Sequence, residues 1–205
     1  MEIAVVFRAP VANIDERRPS RCAHCGSYGF NIHQHATKSL KGPGSASAQV
    51  VRFICKRCRR TVRLYPDGVD AARQSTLLRR LSAMLYWLGL PYDGVREVLM
   101  ELGCPLSKAT VWANVRALGL INDRFRLRAD PGTLKVYARP NGASVVYALR
   151  GCPARIKLAV MPPDGLTLWF DTPQPDGSAR LHERVCDIAR RLELEVRHPR
   201  EQAVS

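Results

Sequence analysis

What this chain lacks narrows its possibilities before any motif is read. No run of apolar residues approaches the ~20 that a helix needs to span a bilayer, so a helical membrane protein is not expected. The stretch Met1 to Pro10 lacks the cationic start and long apolar core of a secretion signal, and the expectation is a cytoplasmic protein. No glycine-rich phosphate loop follows a strand, and no Ser-His-Asp arrangement can be built from these positions, which removes two common catalytic signatures. Carboxylates are scarce: 18 Asp+Glu stand against 32 Lys+Arg, a net charge of +14. Such an excess favours a polyanionic partner through phosphate neutralisation and counterion release. It is also uneven. Residues 1–63 hold 12 basic and 3 acidic residues (net +9), whereas residues 122–205 hold 14 and 10 (net +4), a balance that a solvated surface explains.

What is present suits a folded protein. With 205 residues and 46% hydrophobic content, the chain has room for one medium domain or two to three small modules. Its seven cysteines are an odd number, and four of them form CxxC pairs that suit a metal in a reducing compartment better than disulfides. Cys22-Ala-His-Cys25 is followed by twenty-nine residues and then by Cys55-Lys-Arg-Cys58. Each pair wraps a turn that aims two thiolates at one point, and two such knuckles make the tetrahedral sulfur cage of structural zinc. Gly26 permits the tight backbone after the first pair. Val50 to Ile54 leads into the second knuckle as a strand and Thr61 to Leu64 leads away, with LKGPGSASAQ as a hairpin tip, hence a zinc ribbon holding one ion. His24, His33 and His35 lie nearby as substitute ligands, although four cysteines already close the coordination sphere. Arg52, Lys56, Arg57, Arg59, Arg60 and Arg63 crowd the second knuckle, as a phosphate-tracking surface or as a solvated rim.

Pro91 to Leu120 reads as two short helices joined by a tight turn. Val95, Val98, Leu99 and Leu102 form one apolar stripe; Gly103 stops that helix; Ser107 caps the next, whose stripe is Val111, Val115 and Leu118. A helix-turn-helix of this kind places Lys108, Thr110, Trp112, Ala113, Asn114 and Arg116 on or near an outer face, within reach of phosphates and base edges in a major groove. The alternative is an ordinary pair of core helices with a solvated basic face. Val69 to Leu88 reads as a long preceding helix, buried through Leu77, Leu78, Leu81, Leu85 and Leu88, that completes a trihelical bundle. Tyr86 and Trp87 are core aromatics in this reading. The segment 121–129 either continues the last helix or links it onward.

Beyond Asp130 the period changes from helical to two. Residues 134–138, 144–149, 155–160 and 166–170 are strand-like and are separated by turn chemistry, an antiparallel meander. Ser178 to Leu192 is an amphipathic helix with Leu181, Val185, Ile188, Ala189 and Leu192 on one face, and residues 194–198 form a closing strand. Cys104, Cys152 and Cys186 are isolated core thiols. The expected fold is an α+β multi-module chain: residues 1–66 a lead-in, with a short strand at 2–7, and a four-cysteine zinc ribbon; 67–121 a trihelical helix-turn-helix; 122–205 a small α/β domain.

The lines CAHCGS, FICKRCRRTV and LPYDGVREVLMELGCPLSKATVWANVRAL, in this order, resemble the front part of bacterial insertion-sequence transposases. From residue 130 onward the β-β-β-α-β order, with an extra leading strand, is similar to the opening of their RNase H-like catalytic domain. That resemblance implies two metal ions held by three acidic residues, an Asp on the first strand, an Asp after the fourth and a Glu on a later helix. This chain departs from it: LKVYA carries no carboxylate and Asp130 only precedes it, His198 stands where an Asp is expected, and Glu193, Glu195 and Glu201 are misplaced. The resemblance therefore implies a truncated domain without catalysis, a non-enzymatic, nucleoid-associated protein that binds double-stranded DNA. In that reading Cys22, Cys25, Cys55 and Cys58 hold zinc. Lys56, Arg57, Arg59, Arg60, Lys108, Thr110, Trp112, Asn114 and Arg116 meet DNA, ribbon and helices gripping adjacent segments of one duplex. An adaptor subunit binding proteins of a larger nucleoprotein complex is the other class, and a split transposase whose partner donates the acids is a third.

Overall fold

The computed structural model describes residues 2–8, 18–42, 47–140, 142–151, 155–161, 165–171 and 175–197. Most of the lead-in, the centre of the hairpin tip, Asn141, Cys152, the turn residues 162–164, His198 and Glu201 lie outside the described residues. Two compact units emerge. One is Ala9–Thr76, and the other joins Met1–Arg8 to Leu77–Ser205.

In the smaller unit, β2 (Phe30–Ser39), β3 (Ser47–Cys55) and β4 (Thr61–Leu64) form an antiparallel sheet in that order. Strand β3 lies in the middle and is buried on both faces, with Val51, Phe53 and Cys55 on one side of the pleat and Ala48 and Val50 on the other. Strand β2 escaped the sequence reading because nine of its ten residues are exposed or half-buried, which leaves no apolar alternation to detect. The helix expected from Val69 begins only at Thr76. Between them the backbone is committed elsewhere: the Ala72 N–H is taken by the Asp70 carboxylate at 2.8 Å, Lys41 N–H donates to Arg73 O at 2.8 Å, and Ser75 N–H donates to Lys41 O at 3.0 Å. A segment paired to a neighbouring strand cannot also close helical bonds. Residues 67–76 therefore belong with the ribbon rather than with the helices.

The larger unit holds β1 (Glu2–Arg8), α1 (Thr76–Trp87), α2 (Tyr92–Glu101), α3 (Lys108–Ala117), a 3-10 turn at Pro131–Thr133, β5 (Lys135–Arg139), β6 (Gly142–Ala148), β7 (Arg155–Met161), β8 (Gly165–Asp171), α4 (Pro175–Arg191) and β9 (Glu195–Arg197). Its sheet runs β5-β6-β7-β8-β1-β9, and every neighbouring pair is antiparallel. The β-meander, the helix and the closing strand fall where the sequence placed them, and all five residues of the expected α4 face are buried. The correction is β1. A strand read as part of a lead-in sits between β8 and β9, so a sheet built from residues beyond 130 alone is not what forms. Because β8 and β9 are each antiparallel to β1, they are parallel to one another, and α4 makes the crossover between them.

One core serves the helices and the sheet together: Val5 and Phe7 of β1, the α1 leucines, Val95, Val98 and Leu99 of α2, Val111 and Val115 of α3, Val145 and Tyr147 of β6, and Val185 and Ile188 of α4 belong to a single buried cluster. The helical bundle is accordingly not a free-standing module. Helix α1 lies at its heart, with Leu81 to Leu88 buried without interruption, the condition of a helix that is covered on all sides. Leu78, Leu81, Leu85 and Leu88 are wholly buried, and each stabilises the unit by roughly 1.5–3 kcal/mol.

The end of α1 is fastened from three directions. Tyr147 donates its hydroxyl to Leu88 O at 2.9 Å; Arg126 donates to Tyr86 O at 2.9 Å and Leu90 O at 3.1 Å while its guanidinium lies 3.8 Å from the Tyr86 ring centroid; and Leu127 and Ala129 N–H groups bond Trp87 O and Gly89 O. Segment 121–129 is thus a link, and it satisfies the last carbonyls of α1 with a cation that the helix itself lacks. Gly89 makes this approach possible: its φ is +105° and an added Cβ would stand 2.6 Å from Ala129 N. Gly89→Ala combines backbone strain of about 1–3 kcal/mol with a backbone overlap. It should lower the melting temperature by about 5–10 °C in a circular-dichroism melt, and an unchanged melt would refute this packing.

Candidate metal centre and nucleic-acid interface

The two cysteine knuckles are built alike. In the first, Gly26 N–H bonds Cys22 O at 2.8 Å and Cys22 N–H bonds Ser27 O at 2.8 Å; in the second, Arg59 N–H bonds Cys55 O at 3.0 Å and Cys55 N–H bonds Arg60 O at 2.9 Å. The residue after each second cysteine is left-handed, Gly26 at φ +72° and Arg59 at φ +61°. The first position has the residue suited to it, and the second holds an arginine there against its preference.

These turns bring four sulfurs together. Cys22 Sγ lies 3.7 Å from Cys58 Sγ, Cys25 Sγ lies 3.6 Å from Cys55 Sγ, and all four are within 4.8 Å of one another. A tetrahedral ion with metal–sulfur bonds of about 2.3 Å has sulfur–sulfur edges of about 3.8 Å. The cluster therefore fits one ion. It is also the one group of three or more metal-ligand side chains among the described residues. His24 is not part of it, since its Nδ1 meets the Arg60 guanidinium at 3.0 Å, while His33 and His35 are exposed on β2.

The protonation chemistry agrees with a cation at the centre. Backbone N–H groups of Cys58 and Arg57 point at the Cys55 sulfur and bring its pKa down to about 6 against the opposing effect of burial, and those of His24 and Cys25 lower Cys22 likewise. Cys58 receives the Arg60 N–H, yet burial and the sulfurs of Cys25, Cys55 and Cys22 push it up to about 11. Four thiolates in so small a space repel one another, and a dication removes that repulsion.

Around this centre the surface is uniformly cationic. From Arg18 to Leu64 the chain carries ten Lys+Arg and no Asp or Glu. Lys56, Arg57, Arg59, Arg60 and Arg63 are exposed or half-exposed, and Arg52 is half-buried. Arg52 and Arg63 stand directly opposite each other on β3 and β4. Like charges so placed repel, and an anion bridging them turns that cost into an attraction.

Helices α2 and α3 form where the sequence indicated, joined by a tight turn. Gly103 is left-handed at φ +70°, Cys104 N–H closes back to Leu99 O at 2.9 Å, and Ser107 Oγ accepts from Thr110 N–H at 3.2 Å. The outer stripe of α3 consists of Lys108, Ala109, Trp112, Ala113, Arg116 and Ala117, all exposed. Trp112 and Arg116 lie against each other, with the guanidinium 5.3 Å from the ring centroid. Lys108 is paired with Asp93 at 2.7 Å, and Thr110 shares its hydroxyl with Ser107 at 2.8 Å.

Asn114 needs correction. It was expected on the outer face, but it is 4% exposed and its Nδ2 donates to Ser82 Oγ on α1 at 3.0 Å, so the amide anchors α3 and does not face solvent. Position 114 lies next to Val111 and Val115 on the cylinder, within the buried arc, and its polarity disguised that. The exposure of Ala109 and Ala117 was missed for the converse reason, as alanine suits either face. Tyr28, 75% exposed beside the first knuckle, was also missed, because no pattern in the sequence distinguishes a surface ring from a core one.

Among the described residues no helix is long and apolar enough to cross a membrane. Comparison of the chain with protein-family models, with curated proteins and with solved structures found no match in any of the three.

Two outcomes follow from this geometry. Cys55→Ser removes one thiolate from a centre whose metal binding is coupled to folding, so bound metal should fall from one equivalent to near none and the cooperative unfolding of residues 18–76 should be lost; elemental analysis and circular dichroism check both. Asn114→Ala leaves the Ser82 hydroxyl without that partner and should destabilise the protein by about 1–3 kcal/mol, measured by chemical denaturation.

Proposed function

We propose that this chain is a sequence-specific, double-stranded DNA-binding protein that carries one structural zinc ion and performs no catalysis itself. The observation that carries this reading is the outer face of α3. Six exposed positions form one continuous stripe on a helix that contains no acidic residue, and its second-helix place in a helix-turn-helix is the place that enters a major groove. Ala109, Ala113 and Ala117 keep the surface low so that the backbone can approach bases, while Arg116 and Trp112 project from it. Arginine is the side chain suited to guanine, and small apolar groups meet the thymine methyl. The Trp112 ring restrains the Arg116 guanidinium before DNA arrives, which reduces the ordering cost of the contact. Lys108 sits at the amino end of α3, where a cation meets phosphate, and Asp93 holds it in place until then.

The ribbon supports the same reading through charge. A stretch of ten cations without a carboxylate has no internal use for its field, and phosphates supply the missing counter-charge. Zinc is the proposed ion because four cysteine sulfurs in a closed tetrahedron leave no open position for catalysis and suit a structural role. Kinship with insertion-sequence transposases belongs to the proposal too, on the order of knuckle, knuckle and helix-turn-helix. The carboxylates near the expected catalytic strands are engaged elsewhere: Asp130 Oδ1 accepts the Gly132 N–H at 3.1 Å, Glu193 pairs with Arg80, and Glu195 pairs with Arg197 at 2.7 Å.

The test is selection of bound duplexes from a random pool by the zinc-loaded protein at near-physiological salt. An enriched motif is expected, whereas binding that shows no motif and fades as salt rises would overturn sequence-specific recognition. On the selected duplex, Arg116→Ala should weaken binding roughly 5- to 150-fold, the cost of one lost base contact, at unchanged melting temperature.

A further inference from the structure

We propose that the first knuckle of the ribbon is a separate binding site for single-stranded nucleic acid, with an unpaired base stacked on Tyr28. Of the large apolar side chains among the described residues, Tyr28 is the most exposed, at 75%. A lone exposed ring is ordinary, but the setting of this one is not. The chain on either side of it is held: Cys22 N–H bonds Ser27 O at 2.8 Å, and Lys56 N–H bonds Gly29 O at 2.9 Å, tying the second knuckle to the backbone just past the ring. Arg21 lies over the ring at 5.9 Å from its centroid and is itself fixed by donating to Gly26 O at 3.2 Å. The Lys56 stem runs along Gly29, close enough that a Cβ there would sit 3.3 Å from it. A ring on a turn beside the cysteine cluster therefore carries one cation over it, Arg21, and has a second, Lys56, against the next residue, inside a stretch that contains no carboxylate.

That combination is the chemistry of single-strand recognition. Every base offers a π-face, and the neighbouring phosphates meet the cations, so the contact tolerates any sequence. A duplex keeps its base faces within the stack, where a ring projecting from a convex turn cannot reach them; an unpaired strand presents them freely. The surface is distinct from the outer face of α3, and the inference does not rest on the duplex-reading role proposed above.

The experiment uses the full zinc-loaded chain, a short labelled oligodeoxythymidylate and the selected duplex, followed by fluorescence anisotropy. Tyr28→Ala should weaken the oligodeoxythymidylate complex about 5- to 150-fold, the range for losing one stacked base, while Tyr28→Phe should stay within about twofold because the ring remains. Duplex affinity should be unchanged by Tyr28→Ala, and Arg116→Ala should give the reverse pattern. Arg21→Gln provides a second variant that leaves the ring in place, with a loss on the single strand that shrinks as salt rises. Metal content is measured on every variant, so that a damaged ribbon shows itself as lost zinc; if Tyr28→Ala loses zinc, the Phe and Gln variants decide. The inference is overturned if the wild-type chain ignores the oligodeoxythymidylate, if Tyr28→Ala binds it as well as wild type, if Tyr28→Phe loses as much as Tyr28→Ala, or if single-strand and duplex affinities fall together. Failure here with an intact duplex motif would leave the α3 reading standing, and the converse result would leave this one.

Discussion

From Leu81 onward helix α1 is buried on every side, and the larger unit is organised by that fact. A helix with no solvated face must have its end groups satisfied by other parts of the chain, and here they come from far along the sequence: the Tyr147 hydroxyl from β6, the Arg126 guanidinium and the backbone of 127–129 all reach the carbonyls between Tyr86 and Leu90. Further up the same helix, Ser82 accepts the Asn114 amide and so fixes the rotation of α3. The outer stripe of α3 faces solvent because the inner arc is held by Val111, Asn114 and Val115. The surface proposed to read DNA is thus positioned by a hydrogen bond on its opposite side.

The smaller unit faces a different constraint. Its apolar core is slight, essentially Phe30, Val51 and Phe53 around Cys22 and Cys55, with a second patch at Leu40, Ala48 and Val69. A core of that size supplies little stability, and small domains of this kind need a staple. The four sulfurs provide the place for one. The same smallness forces the charged side chains outward, and the opposition of Arg52 and Arg63 across β3 and β4 means that the sheet is built at some electrostatic cost. The turns that gather the four sulfurs are also the turns from which Lys56, Arg57, Arg59 and Arg60 project.

Both units therefore present cationic surfaces braced from behind, one by a cluster of four cysteines and the other by a buried helix. Their chemistries differ. The α3 stripe is low and narrow, with Trp112 and Arg116 projecting from it, as the proposed groove contact needs, whereas the knuckle carries a projecting Tyr28 ring under Arg21, as the proposed stacking of an unpaired base needs.

Local signals were legible in the sequence where one residue type has one physical use. The CxxC pairs marked the four sulfurs that come together, Gly103 and Ser107 marked the end of α2 and the start of α3, and the period-two stretches gave β5 to β8 nearly to the residue. Long-range pairing decided the rest. Nothing within EIAVVF tells that it lies between β8 and β9, because a short apolar strand carries no address for its partners. Residues 69–75 have helical composition, yet their backbone bonds Lys41 instead. Asn114 and Tyr28 mark the same limit from opposite sides: a polar side chain is buried when a distant hydroxyl satisfies it, and an aromatic one is exposed when no core reaches it. Composition and periodicity determined which elements form; only the tertiary structure decided which face of each element meets water, since burial depends on partners distant in sequence.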